Sequence, residues 1–190
     1  MEGVLRLWER ARNEVLWYCF RFEDRWHVSQ GWYAREYKRR AAEIVRSLGA
    51  ETVVELGCGL ADILVHIPAR TRIGIDLDPR VARAARLRVL GRARILQGSF
   101  DALAMLPPMS IDCLVILNWT HMVDFDSLRR GLERVDSRHG IRYWLLDEYA
   151  PGKGSGFRHD TGLLLEGLAT LVGRERGDDT RELLLFKSTN

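Results

Sequence analysis

Lysine is almost missing from this chain of 190 residues: Lys38, Lys153 and Lys187 are the only lysines among 29 cationic side chains, and the rest are arginine. Against 26 carboxylates the formal net charge is +3, and no long block of like charge appears. This excludes a lysine-rich tail or basic arm of the kind that tracks nucleic acid. Cysteine is equally scarce. Cys19, Cys58 and Cys113 are odd in number, scattered and without metal-ligand spacing, which excludes a disulfide framework or a zinc site and points to a reducing compartment. There is no apolar run long enough to span a bilayer, and Glu2, Arg6, Glu9, Arg10 and Arg12 interrupt the N-terminal stretch. A signal peptide, a membrane span and a membrane partner are therefore not expected, and the cytoplasm is the default location. With 46% apolar and 29% charged residues, the composition is that of one soluble domain with a substantial core.

What is present is organised around Thr52-Val53-Val54-Glu55-Leu56-Gly57-Cys58-Gly59-Leu60-Ala61-Asp62. A strand-favouring run enters two glycines, and Leu60, Ile63, Leu64 and Ile67 then recur at helical spacing. Strand, glycine turn and helix make the first unit of a doubly wound sheet. Gly57 and Gly59 permit a tight turn and close approach of a ligand to the backbone. The expected helix would aim unpaired N–H groups into the same space. A dinucleotide fingerprint needs a small sixth residue, and Asp62 stands there instead. Glu55, two residues before the first glycine, suits a cationic or zwitterionic ligand and would repel a pyrophosphate. A second short strand ends in Asp76, 21 residues beyond Glu55, where a carboxylate can accept both hydroxyls of a ribose. Asp78 and Pro79 then read as the N-cap and first turn of a helix.

The pattern Glu55-x-Gly57-x-Gly59-x-Ala61, followed by Asp76, resembles the first motifs of class I S-adenosylmethionine (SAM)-dependent methyltransferases, with Ala61 a sterically mild replacement of a third glycine. The resemblance implies that Glu55, Gly57, Cys58 and Gly59 line the cofactor, that Asp76 holds its ribose and that Leu77 lies against adenine. After a third strand at Ala93–Gln97, it puts an adenine contact among Ser99, Phe100 and Asp101. The apolar run Ile111–Leu117 reads as a central strand buried on both faces. It ends in Asn118-Trp119-Thr120-His121 at the edge where such sheets bind ligands. DNA and glutamine N-methyltransferases carry two prolines at this point, which are missing here. Asn118 is a candidate for the SAM amino group.

The flanks extend the resemblance. Residues 2–17 form an amphipathic pattern (Val4, Leu5, Trp8, Ala11, Val15, Leu16), and a second helix is expected over Trp32–Leu48, stopped by Gly49. Nine of the 17 aromatics precede residue 41, so this region serves either to pack the helices on the sheet or as a cover over the ligand site. Trp26, His27 and Tyr33, with Trp119, are the candidate substrate contacts. Helices are expected over Asp124–Val135 and from Asp160 or Thr161 through Leu171, with a fifth strand over Ile141–Tyr149 between them. The glycine-rich loop Pro151–Gly156 lacks the order of a phosphate loop and reads as a lid or connector. A hairpin over 171–187 closes the chain.

The expected fold is therefore α/β: a doubly wound, mostly parallel seven-stranded sheet with helices on both faces, an antiparallel C-terminal β-hairpin and N-terminal helices. It forms one domain over 1–190, with a helical cover at 1–48 and a SAM-binding Rossmann-like core at 49–190. The resemblance implies a SAM-dependent methyltransferase, and a small-molecule hydroxyl, on a sugar or a phenolic metabolite, is the favoured acceptor. His121, His159, Asp147 and His27 are the candidate bases. No resident metal is expected, although Asn118, Asp147 and Glu148 would offer oxygen ligands to Mg²⁺. RNA or protein methylation, drawing on the arginines at 35–46 and 80–88, and a catalytically silent partner subunit are the alternatives. Homodimerisation is left open.

Overall fold

The computed structural model describes residues 2–150, 152–153 and 156–189. Three helices precede the first strand: α1 (Glu2–Phe20), α2 (Trp26–Ser29) and α3 (Glu36–Ser47). Then follow β1 (Thr52–Leu56), β2 (Thr71–Asp76), α4 (Pro79–Val89), β3 (Arg94–Gln97), α5 (Phe100–Ala104) and β4 (Ser110–Ile116). The chain continues with α6 (Phe125–Asp136), β5 (Gly140–Tyr149), α7 (Thr161–Leu164), β6 (Ala169–Arg176) and β7 (Arg181–Ser188). All seven strands form one sheet in the order β3-β2-β1-β4-β5-β7-β6. The first five are parallel, and β7 inserts antiparallel between β5 and the edge strand β6.

Alternation along the strands divides the core in two. Val53, Cys113, Val115 and Leu145 face α3 and α4, with Ala41, Val45, Ala82 and Ala85 packed on them. Val54, Leu56, Leu114, Ile116 and Leu146 face α5 and α6, against Leu103, Leu128 and Leu132. Both faces of β1 and β4 are thus buried, which is why their sequences are nearly continuous in apolar residues. Strand order reverses between β1 and β4, and a crevice opens there at the carboxyl ends of the strands. Helix starts are set locally. Asp78 accepts from the N–H groups of Arg80 (2.7 Å) and Val81 (3.4 Å) to start α4, and Asp124 accepts from Ser127 (2.9 Å) to start α6.

Several expectations change. The helix expected after the glycine turn is reduced to one 3₁₀ turn, Leu64–His66. Gly57, Gly59 and Ala61 all have positive φ, so helical backbone cannot begin before Asp62, and Ile67 is extended ahead of Pro68. Nor is Ala61 a mild replacement: at φ +58 and fully buried, it holds a left-handed conformation costing an L-residue about 1–2 kcal/mol. The helix expected from Trp32 starts at Glu36. The helix expected through Leu171 ends at Leu164, because Gly167 turns with φ +76 and pairing with β7 takes Ala169 onward into a strand. Of the proposed lid, Pro151, Gly154 and Ser155 lie outside the described residues. Its far end is tied to the crevice, where Phe157 N–H donates to the His121 carbonyl at 2.8 Å. Among the described residues no helix is long and apolar enough to cross a membrane.

Candidate functional site

The glycine turn after β1 is held by β2. Gly57 and Cys58 N–H groups donate to the Ile75 carbonyl at 2.8 and 3.0 Å, and Gly59 N–H donates to Asp76 Oδ2 at 2.8 Å. The Asp76 Oδ1 accepts from Asp78 N–H at 3.1 Å. Burial pushes the Asp76 carboxyl up, opposed by these N–H groups and by His27. Space over the glycines is already taken by rings. A Cβ on Gly57 would lie 2.2 Å from Trp119 Cδ1, and one on Gly59 would lie 3.0 Å from His27 Nδ1. The Trp119 indole N–H donates to the Leu56 carbonyl at 2.7 Å, so the ring is pinned across the end of β1.

Beneath the turn lie two buried acids in opposite circumstances. Asp62 is paired with Lys38 Nζ at 2.6 Å and with Arg88 Nη1 at 2.5 Å. The second pair is close but poorly aligned for a hydrogen bond. Burial alone would raise the Asp62 carboxyl; Lys38 and Arg88 together overcome it and hold the carboxyl well below the usual range. Glu55 is also buried, yet its Oε2 has no hydrogen-bond partner. Burial pushes its carboxyl well above the usual range, and Lys38 only partly opposes this. Burial likewise raises the Cys58 thiol far from thiolate formation.

The roof of the crevice comes from α2 and is carried by α1. Glu9, buried, accepts from the backbone N–H groups of Trp32 (3.0 Å) and Tyr33 (2.9 Å). A Cβ on Gly31 would lie 2.4 Å from the Glu9 carboxylate carbon, so only glycine admits this approach. Asn13 donates to the carbonyls of His27 (3.3 Å) and Val28 (3.5 Å). Together these bonds fix the short segment that bears Trp26 and His27.

Below the roof is one large cavity of about 1150 Å³. Glu55, the glycine turn, Asp76, Leu77, Ser99 and Phe100 line it, with Trp119 over Gly57 and against Phe100, and the lining also includes Tyr37, Asn118, His121, Met122 and Tyr149. A side cavity of about 210 Å³ shares His121 and Tyr149 and adds Glu148, Phe157, Arg158 and His159. Asp147, which also lines this side cavity, belongs to a buried ion pair: Arg181 Nη1 donates to Asp147 Oδ2 and to Asn118 Oδ1, both at 2.7 Å. The Arg181 guanidinium lies 4.3 and 4.8 Å from the ring centres of Tyr37 and Tyr149. Asn118 has φ +69 and donates its own N–H to Asp147 Oδ1 at 2.8 Å.

The sheet order, the inserted antiparallel strand and the crevice at the β1/β4 reversal can be set beside solved structures. The N-methyltransferase NodS from Bradyrhizobium japonicum, bound to S-adenosyl-L-homocysteine, superposes with a TM-score of 0.68 over 94% of this chain and 99% of its own, at 14% identity. Magnesium protoporphyrin IX methyltransferase ChlM from Synechocystis, bound to the same product, gives 0.68 over all of both chains at 13% identity. The chain has the class I methyltransferase fold. Mitomycin 7-O-methyltransferase MmcR shares it at a TM-score of 0.66 and 18% identity, over 92% of this chain and 60% of its own. No protein-family model matches the chain, and no curated protein sequence matches it either.

Within this methyltransferase fold the expected cofactor residues Glu55, Gly57, Cys58, Gly59, Asp76, Leu77, Ser99, Phe100 and Asn118 all line the one cavity. Trp26, His27 and Trp119 line it too, whereas Tyr33 packs against the hydrophobic core beside α3 and lies outside it. The candidate bases separate. Asp147 is ion-paired with Arg181, accepts from Asn118 N–H, and does not line the large cavity. His159 reaches only the side cavity and its Nε2 is bonded to the Thr120 carbonyl at 3.0 Å. His121 lines both cavities, and its ring packs edge-on against Tyr149. Of the oxygens named for Mg²⁺, both of Asp147, Asn118 Oδ1 and Glu148 Oε1 accept hydrogen bonds within the protein, the last from Thr161 N–H at 2.9 Å. The arginines of the suspected basic face divide: Arg39 donates to the Trp32 and Tyr33 carbonyls and the Arg88 side chain is buried on Asp62, whereas Arg40, Arg46, Arg80, Arg83 and Arg86 are exposed. Sequence reasoning missed Arg181, Arg88, Tyr37 and the role of Glu9. The faint signal was Asp62 itself, a charge at a position that should be small.

Proposed function

We propose that this chain is a SAM-dependent methyltransferase that methylates a hydroxyl group of a small molecule, with His121 receiving the proton. The observation that carries the reading is Glu55. A buried carboxyl group with an unbonded oxygen on a cavity wall costs stability, and a ligand cation would supply the partner that lets it ionise against its burial. With Asp76 nearby, the cofactor end favours a positively charged molecule over a dinucleotide. The neighbours crystallised with SAM or its demethylated product support the same choice.

SAM, when bound, supplies a methyl group already activated on a sulfonium. The rest falls to this chain. Asp76 is placed at the end of β2 to accept ribose hydroxyls, and Leu77, 71% exposed, offers an apolar face beside it. Glu55 faces the ammonium group. Residues 1–48 act as the cover and 49–190 as the cofactor-binding core. Trp26, Trp119, Tyr37 and Tyr149 make an acceptor end walled by rings, which holds a flat phenolic metabolite and keeps out water. Burial lowers the His121 pKa, with Arg181 and His159 adding to the effect, so the imidazole is neutral at pH 7 and able to take a proton.

The test is calorimetric titration of the intact protein with SAM and, in parallel, with NADH and NADPH. SAM should bind and the nicotinamides should not. Asp76→Ala should weaken SAM binding by about 2–4 kcal/mol, the worth of two charge-assisted hydrogen bonds. A thermal melt of the variant accompanies the titration, since Gly59 also loses its acceptor. Folded wild-type protein that ignores SAM would end this reading and leave a methyltransferase fold kept as a partner subunit.

A further inference from the structure

The helix α1 buries polar side chains beside Leu16 and exposes an apolar stripe. Its inner side carries Glu9 and Asn13, both buried and both bonded to the backbone of residues 27–33. Its outer side carries Val4, Leu7, Trp8, Val15 and Tyr18, which are 62–70% exposed. Apolar Ala11, also exposed, stands at the middle of this stripe. Val4, Trp8, Ala11, Val15 and Tyr18 follow each other at intervals of four, three, four and three residues, the spacing of a seam between two packed helices. The two large rings are braced from behind. Arg12 lies over Trp8 at 5.5 Å and Arg21 over Tyr18 at 4.4 Å, so little side-chain freedom remains to be lost on docking.

We propose that this stripe binds the α1 helix of a second copy of the chain, the two helices packing antiparallel about a two-fold axis at Ala11. The small residue at the axis lets the backbones approach. Seven residues to either side, Val4 of one copy meets Tyr18 of the other, and between them Trp8 meets Val15, so each ring faces a smaller aliphatic group. Such a contact is self-complementary, as a two-fold interface must be. The five exposed side chains hold on the order of 600 Å² per chain, and a pair would bury about 1,200 Å², the lower bound of stable, specific interfaces. The flanks favour a protein partner over a lipid surface. Arg10 and Arg12 are accompanied by Glu14, which is ion-paired with Arg25 at 2.8 Å, whereas a membrane-lying helix presents an unbroken cationic border.

Sedimentation equilibrium of the full chain between roughly 1 and 100 µM tests this directly. The wild type should sediment at twice the monomer mass. The double variant Trp8→Glu/Val15→Glu should raise the dissociation constant by at least about 100-fold with an unchanged far-ultraviolet spectrum, because both residues are solvent-exposed. As an independent reading, Ala11→Cys in a Cys19→Ser background should cross-link into a dimer on treatment with diamide, while the Cys19→Ser parent should not. A wild type that stays monomeric at 100 µM would overturn the proposal. So would a dimer indifferent to the double variant with no Ala11→Cys cross-link. Wild-type monomer that co-sediments with phosphatidylglycerol vesicles, and is released by the double variant, would reassign the stripe to a lipid surface and overturn it as well.

Discussion

Asp62→Ala is expected to destabilise the protein by about 3–5 kcal/mol, because it leaves two largely buried cations without their counter-ion. Lys38 and Arg88 both rest on this carboxylate, and the Asp62 and Arg88 side chains are each only 5% exposed. Lys38 would keep the Gln30 carbonyl at 2.6 Å and Arg88 the Leu60 carbonyl, which satisfies hydrogen bonds but not charge. The loss spans three elements, since Lys38 belongs to α3, Asp62 to the glycine turn and Arg88 to α4. Urea unfolding at pH 7 gives the measurement, and a loss below about 1 kcal/mol would mean that the cluster is already hydrated. The pH dependence has a definite sign. The Asp62 carboxyl is held well below its unfolded value, so its contribution is present above the ordinary carboxylate range and disappears as pH falls through the folded pKa. Wild-type protein should therefore lose part of its margin over Asp62→Ala in acid. Replacing all three charges with apolar residues of similar volume should recover much of the deficit, since an intact buried ion cluster adds little net stability.

His121→Gln should slow methyl transfer by about 10²–10⁴-fold while leaving SAM affinity within a factor of about three. The separation follows from place: the His121 ring packs edge-on against Tyr149 and borders the side cavity, which Glu55, the glycine turn and Asp76 do not line. In the wild type the rate should fall on the acid side, with an inflection below the ordinary histidine value of 6.5, because burial lowers the pKa and only the neutral ring accepts a proton. The same inflection should vanish from the residual rate of the variant. If His121→Gln retained a normal rate, the acceptor would need no base, and the reading would shift toward methylation of an already deprotonated group.

Strand ends were the legible part of this site. Glu55, Asp76 and Asn118 each follow a short apolar run, and a buried parallel strand announces its ligand edge by the first polar residue after it. The turn was legible for the same reason, but the element after it was not. Leu60, Ile63, Leu64 and Ile67 keep helical spacing, yet three positive φ values and Pro68 leave room for only one 3₁₀ turn. In α1 the period is right, but of the expected apolar positions Leu16 is the one that is buried. Apolar Val4, Trp8 and Val15 face solvent because Glu9 and Asn13 are needed on the inside. Pairs such as Asp62 with Arg88, or Asp147 with Arg181, join residues 26 and 34 apart. No local pattern ties such partners together, which is why Asp147 read as a base when it is the counter-ion of a buried arginine.

The Glu9 bracket sets a limit on how this chain can be handled. Cutting the chain ahead of residue 14, or grafting a rigid fusion close to Glu9, would leave every residue around the crevice in place and still release the Trp32 and Tyr33 amides that hold the roof. The covering helices and the sheet are separate in sequence and shared in workmanship: the edge of the crevice, if drawn by what must stay fixed rather than by what lines it, begins at Glu9, in the second turn of the first helix.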